Sequence, residues 1–290
     1  MKKNIRVLSV AMLASTFFLA MCAGKKEKKT EKKEVTQKER IVSLKGAFTE
    51  VLCAMVKCDE LVGTDVTSVY PEQAAKTEKL GHVRGVTAEG VLSLSPTMVL
   101  LDTTEVKAEV VKALRKAEIK LVSFKQEYSV QGTKDLLDYF SVQLKADEAK
   151  VSELKRTIDE KVSTLSFPEQ KPKVLFIYAR GANQIMVAGN NTQMKSFIEL
   201  SGGENAVNDF DGFKPLTPES LIEINPDYIL MFESGAKSLQ DEAGILQLSG
   251  MDQTNAGKNK ALIQMEGALI SGFGPRLGEA LKSFNEKMNL

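Results

Sequence analysis

Tryptophan is absent from the 290 residues, histidine occurs once, at position 82, and cysteine three times. One imidazole cannot supply the several that zinc or manganese carriers use, and it leaves a nucleophile–base relay no second histidine to call on. No G-x-S-x-G elbow and no glycine-rich phosphate loop follows a strand, so the familiar hydrolase and nucleotide-binding signatures are missing. The lack of Trp also removes one common stacking surface for a flat ligand. Charge of one sign is scarce in net terms: 39 basic residues against 38 acidic leave +1. The basic residues gather on no one expected face, which argues against nucleic acid as a partner. What is present is apolar material, 43% of the chain, enough for one large core or two ordinary ones.

The N-terminus reads as an export signal, residues 1–21. Its first six residues, MKKNIR, are basic, and the apolar stretch up to Met21 is too short, and too closely followed by charge, to remain as a membrane span. The sequence LAMC ending at Cys22 resembles a bacterial lipobox, which makes Cys22 the expected lipidated residue. Met21 departs from the small residue usual before that cysteine, and plain cleavage beside Cys22 or Ala23 is the competing reading. Residues 22–39 are nearly all charge and have nothing to bury, so they form a solvated tether. The other two cysteines, Cys53 and Cys58, are five apart. On a continuous helix they point in different directions, and a bond requires the helix to end near Lys57. They are read here as two half-buried thiols.

The body of the chain contains a repeat. Residues 87–101, TAEGVLSLSPTMVLL, are answered by 217–231, TPESLIEINPDYILM, with Thr, Glu, Pro and most apolar positions in register. Each copy offers a Thr to cap a short helix, a Glu in the first turn, and a Pro that stops the helix before a buried strand. So wide a spacing points to two lobes of like design facing each other across a cleft. Strands are expected at 40–44, 61–65, 98–101 and 120–124, with a helix capped at Thr49 and Glu50 and another over 105–117. The pattern restarts with strands at 171–178, 185–188, 228–231 and 261–265, a helix at 192–200 and a closing helix at 275–288. Alternation of this kind predicts an α/β fold with mainly parallel, two-sided sheets. Between the halves, 133–165 carries neither Gly nor Pro and reads as one long helix or two abutting ones. The domain expectation is therefore a first lobe at 40–130, a linking helix at 131–166 and a second lobe at 167–290.

Several separated motifs now come together: RIVSL at 40–44, DVTSVYP at 65–71, GHVR at 81–84, YARG at 178–181, GFGPR at 272–276 and the two repeat units. In this order they resemble the substrate-binding lipoproteins of bacterial ABC importers for haem, cobalamin and iron-siderophores, the haem branch most of all. The resemblance covers nearly everything after the tether. It implies the class III periplasmic-binding-protein fold, two α/β lobes bridged by one long helix with little hinge motion, and a ligand gripped between them. It also implies haem as transported ligand with no catalytic cofactor, and an ABC permease with its ATPase subunits as partners. The anchor would hold an exported, monomeric protein at the periplasmic or cell-surface side of a membrane.

By the same resemblance His82 stands where many relatives carry an axial Tyr, and Tyr178 is the second metal-ligand candidate. Imidazole and tyrosinate both ligate haem iron, and Arg180 beside Tyr178 would favour the phenolate. Arg84 and Arg180 suit the propionates, because a guanidinium fork matches a carboxylate. Tyr70 is a weaker choice for lining the cleft. Glu89 and Glu219, in like places of the two repeats, match the glutamates that dock on permease arginines; helix N-terminal charge compensation is the plainer role for both. A siderophore or cobalamin carrier is the alternative within the class. An enzyme or an adhesion lipoprotein on the same scaffold are the alternatives outside it.

Overall fold

The computed structural model describes residues 38–55 and 58–290, so the export signal, Cys22 and the tether to Gln37 lie outside the described residues. Lys38–Leu290 forms one compact unit. In chain order its first part holds β1 (Ile41–Ser43), α1 (Gly46–Met55), β2 (Leu61–Thr64), α2 (Glu72–Ala75), α3 (Ala88–Ser93), β3 (Met98–Leu101), α4 (Ala108–Lys116) and β4 (Lys120–Ser123). Two helices follow, α5 (Val130–Leu144) and α6 (Glu148–Val162). The remainder holds β5 (Lys173–Ala179), β6 (Ile185–Ala188), α7 (Gln193–Leu200), β7 (Glu204–Asn205), β8 (Phe213–Pro215), α8 (Pro218–Ile224) and β9 (Tyr228–Phe232). After these come α9 (Glu233–Ser238), α10 (Asp241–Leu246), α11 (Asn255–Lys258), β10 (Leu262–Met265), α12 (Gly267–Gly272) and α13 (Leu277–Lys287).

The first sheet runs β2-β1-β3-β4, parallel throughout. The second runs β10-β9-β5-β6-β8, parallel from β10 to β5 and antiparallel beyond, with β7 alongside β5. Because side chains alternate along a strand, the apolar runs feed two cores at once. In β3, Met98 and Leu100 join α1, α5 and α6, while Val99 and Leu101 face α3 and α4. In β5, Val174 and Phe176 join α7 and α13, and Leu175 and Ile177 face the opposite layer.

The two repeat units fold alike. Thr87 Oγ1 accepts the Gly90 N–H at 3.1 Å, and Thr217 Oγ1 accepts the Ser220 N–H at 3.2 Å. Each cap opens a short helix that leads into the central strand, β3 or β9.

Three expectations are corrected or decided. The α1 helix begins at Gly46 rather than at Thr49, which is buried within it and turns its hydroxyl to Ser43, Ser68 and the Lys45 carbonyl. Cys53 and Cys58 form a disulfide, Cα–Cα 4.6 Å, and are not free thiols. Cys53 lies on α1 and Cys58 opens a separate 3-10 turn, so the two sulfurs are not held to the spacing of one helix. Of the two readings for the linking stretch, the chain takes two helices. Lys145 turns left-handed at φ 53°, and Asp147 caps the new start by accepting the Ala149 N–H at 2.7 Å. The pair runs antiparallel, held on its surface by Lys155 with Asp138 and Lys134 with Asp159.

Contacts across the two sheets' territories are dense along one side. Gln126 Nε2 donates to the Gly272 and Phe273 carbonyls at 3.0 and 2.8 Å, and Thr133 Oγ1 donates to the Phe273 carbonyl at 3.0 Å. Arg276 forks onto Glu50 at 2.7 and 3.0 Å and reaches Glu266 at 3.3 Å. Gly278 lets α13 lie directly on α6: a Cβ there would stand 2.9 Å from Lys161 Cβ and 3.0 Å from Ile158 Cα.

Candidate functional site

Parallel strands deliver their loops to the carboxyl edge of a sheet, which is where α/β folds place ligands. Here the exits of β1 (Lys45, Gly46), β2 (Asp65, Thr67), β3 (Glu105) and β4 (Tyr128) meet the ends of β5 (Tyr178) and β9 (Phe232). Together they enclose a cleft of about 570 Å³, within the range of small-molecule sites.

His82, Arg84 and Tyr178 all line this cleft, the first two from the segment before α3 and the third from β5. His82 is exposed and opens a single 3-10 turn, its Nδ1 accepting the Arg84 N–H at 3.3 Å. That contact leaves the proton of a neutral ring on Nε2. Tyr178 is half-buried, edge-on to Phe213 and Phe232 at 6.4 and 6.1 Å between centroids, with the Arg180 guanidinium 5.4 Å from its ring. Arg180 thus stands next to Tyr178 and is exposed, although it is not part of the cleft wall. Val83, Met186, Met194 and Phe213 supply apolar wall.

Tyr70 is a correction. It lines a different cavity of about 540 Å³ among α1, α6 and the start of α13, and its ring covers the Arg276 guanidinium at 3.6 Å. The loop turns away from the cleft after Thr67, because Asp65 ties down the Thr67 N–H and the Ser68 hydroxyl while Lys79 holds the Ser68 carbonyl. Glu89 and Glu219 lie in the first turns of α3 and α8, both exposed.

Sequence reasoning missed Lys45, Glu105 and Tyr128. Lys45 Nζ sits 2.6 Å from Glu105 and 3.5 Å from Asp102. Burial works against its charge, but Tyr128, Glu105 and Asp102 outweigh that and hold its pKa above the usual lysine value. Burial pushes the Tyr128 phenol up, with Lys45 pulling the other way. The available signal was positional: a lysine directly after a buried strand sits at a carboxyl edge. Glu50, expected at a helix start, is instead buried within α1 at 6% exposure.

Two α/β sheets that both contribute side chains to one cleft, and that are tied along one side, define the class III periplasmic-binding-protein fold. The chain belongs to the periplasmic binding protein family, whose profile matches residues 41–269; its members are substrate-binding proteins of transport systems. It is 28% identical to an uncharacterized ABC transporter substrate-binding lipoprotein, YvrC of Bacillus subtilis, over 99% of this chain and 98% of the relative. It is 26% identical to the vitamin B12-binding protein of Vibrio vulnificus over 64% of this chain and 66% of the relative. Among solved structures, the apo periplasmic heme-binding protein RhuT from Roseiflexus sp. RS-1 superposes with a TM-score of 0.80 at 30% identity. That match covers 87% of this chain and 98% of the other.

Proposed function

We propose that the protein captures haem in its cleft and delivers it to an ABC importer, binding its cargo without transforming it. The observation that carries this reading is that His82 and Tyr178, from different halves of the chain, line one apolar-walled cleft. An imidazole and a phenol on such walls offer axial ligands to a porphyrin iron from either side. Nε2 is the nitrogen free to ligate, so the ring must move its proton to Nδ1 and give up the long bond to the Arg84 N–H. A bond of 3.3 Å is a weak one, and losing it costs about 1 kcal/mol or less. Arg84 at the wall and Arg180 beside Tyr178 suit the propionates. Likeness to the RhuT structure supports the ligand. The B12-binding relative favours cobalamin as the second reading.

Glu89 and Glu219 supply one exposed negative charge on each half for docking on a permease that ATPase subunits drive. Cys22 is the proposed lipid anchor of an exported monomer. Residues 40–130 and 167–290 are the proposed lobes, with 131–166 between them.

Titration of the purified protein with ferric haem tests the reading: a saturable Soret change at one equivalent or more is expected. No Soret change, together with a rise in melting temperature on adding cyanocobalamin, would replace haem by cobalamin.

A further inference from the structure

This inference rests on the haem reading and concerns which way round the ligand enters. The cleft is unevenly charged. Lys45 and Glu105 line it and Asp102 pairs with Lys45; the three side chains are 13%, 30% and 5% exposed, and two carboxylates against one ammonium leave the cluster net negative. Asp65, 1% exposed, also lines the cleft, its oxygens engaged by Thr67 and Ser68. Lys79 interacts with Asp65 electrostatically, while its own ammonium is hydrogen-bonded to Thr64 and two carbonyls. Tyr128 stays a neutral phenol at physiological pH, since burial pushes it up. Arg84 and Arg180, by contrast, are exposed.

We propose that the cluster of Lys45, Glu105 and Asp102 is a specificity filter that bars ligand carboxylates from the buried end of the cleft, so that a porphyrin enters only with its acidic edge toward Arg84. A carboxylate pushed inward would lose its water and meet a site already over-supplied with negative charge. If it took Lys45 for itself, Glu105 would be left without its ammonium in a half-buried place. Haem carries both propionates on one edge and passes. A porphyrin with carboxylates on all sides must bury at least one of them.

The test compares the dissociation constants of ferric haem and iron coproporphyrin, which has four peripheral carboxylates, in the wild type, Glu105→Gln, Glu105→Asp and Lys45→Met. Wild type should favour haem by about tenfold or more, Glu105→Gln should cut that preference about tenfold, and Glu105→Asp should keep it. Lys45→Met, which removes the only cation of the cluster, should widen the preference. Equal weakening of both porphyrins in Glu105→Gln, with their ratio unchanged, would make Glu105 a structural residue and overturn the filter. A wild type that binds both porphyrins equally would overturn it too while leaving the haem reading intact. A wild type that binds neither removes both.

Discussion

At the scale of single residues, His82 matters because nothing else in the chain offers an imidazole. Its Nδ1 accepts a backbone N–H, which orients the ring in the empty protein and is a contact that ligation through Nε2 must give up. His82→Ala should shift the Soret band of the haem complex and weaken binding by about a hundredfold, equivalent to about 3 kcal/mol. An unchanged band would remove the imidazole from the iron. Tyr178 contributes differently. Its ring is fixed edge-on between Phe213 and Phe232, so Tyr178→Phe keeps the packing and deletes only the oxygen. That variant should melt within a few degrees of wild type yet lose the visible charge-transfer absorption of an iron–phenolate bond. Retention of that absorption would assign the bond elsewhere.

At the scale of elements, α1 does two jobs. Its far end is pinned by the disulfide from Cys53 to Cys58, and its middle offers Glu50 to Arg276 across 226 residues of sequence. Closing so short a loop stabilises the fold by about 2 kcal/mol in the chain-entropy account. Cys53→Ser should therefore lower the unfolding free energy by that amount without altering ligand affinity, and alkylation should label neither cysteine until the protein is reduced. Glu50→Gln leaves a largely buried guanidinium with Glu266 as its one remaining carboxylate partner among the described residues and should cost about 3 kcal/mol in denaturant unfolding. A loss below 1 kcal/mol would mean that Glu266 takes over.

These same elements mark how far the sequence could be read. The strand at Met98–Leu101 and both Thr caps were legible because they depend on neighbours within a few residues. The true start of α1 was not, since Thr49 hydrogen-bonds Ser68 in a loop that only the tertiary fold brings near. The disulfide escaped for a related reason: it depends on where one helix stops. At the site, His82 and Tyr178 could be singled out, the latter with an Arg two positions on, whereas Lys45 acquires its meaning only from Glu105, sixty residues away.

At the scale of the whole molecule, the two repeat units give each half an exposed glutamate in a like setting. A double reversal, Glu89→Lys with Glu219→Lys, should abolish uptake into cells while haem titrations stay unchanged. Lost titration would show that these residues serve the cleft instead. Haem in hundredfold excess over its dissociation constant should add about 2.7 kcal/mol of stability, read as a raised melting temperature.

The seam that ties the two halves runs beside the cleft, whose wall includes Ala47 and Gly272. There α13 rests on α6 at Gly278 with no room for a methyl group, and the Phe273 carbonyl and Arg276 are bonded into the other half. A book stitched so tightly through its spine does not fan open. On the proposed function, a loaded molecule and an empty one would then present nearly the same outline to a permease. Such a permease would have to tell them apart by touching the cargo itself, or spend engagements on empty carriers and discard them.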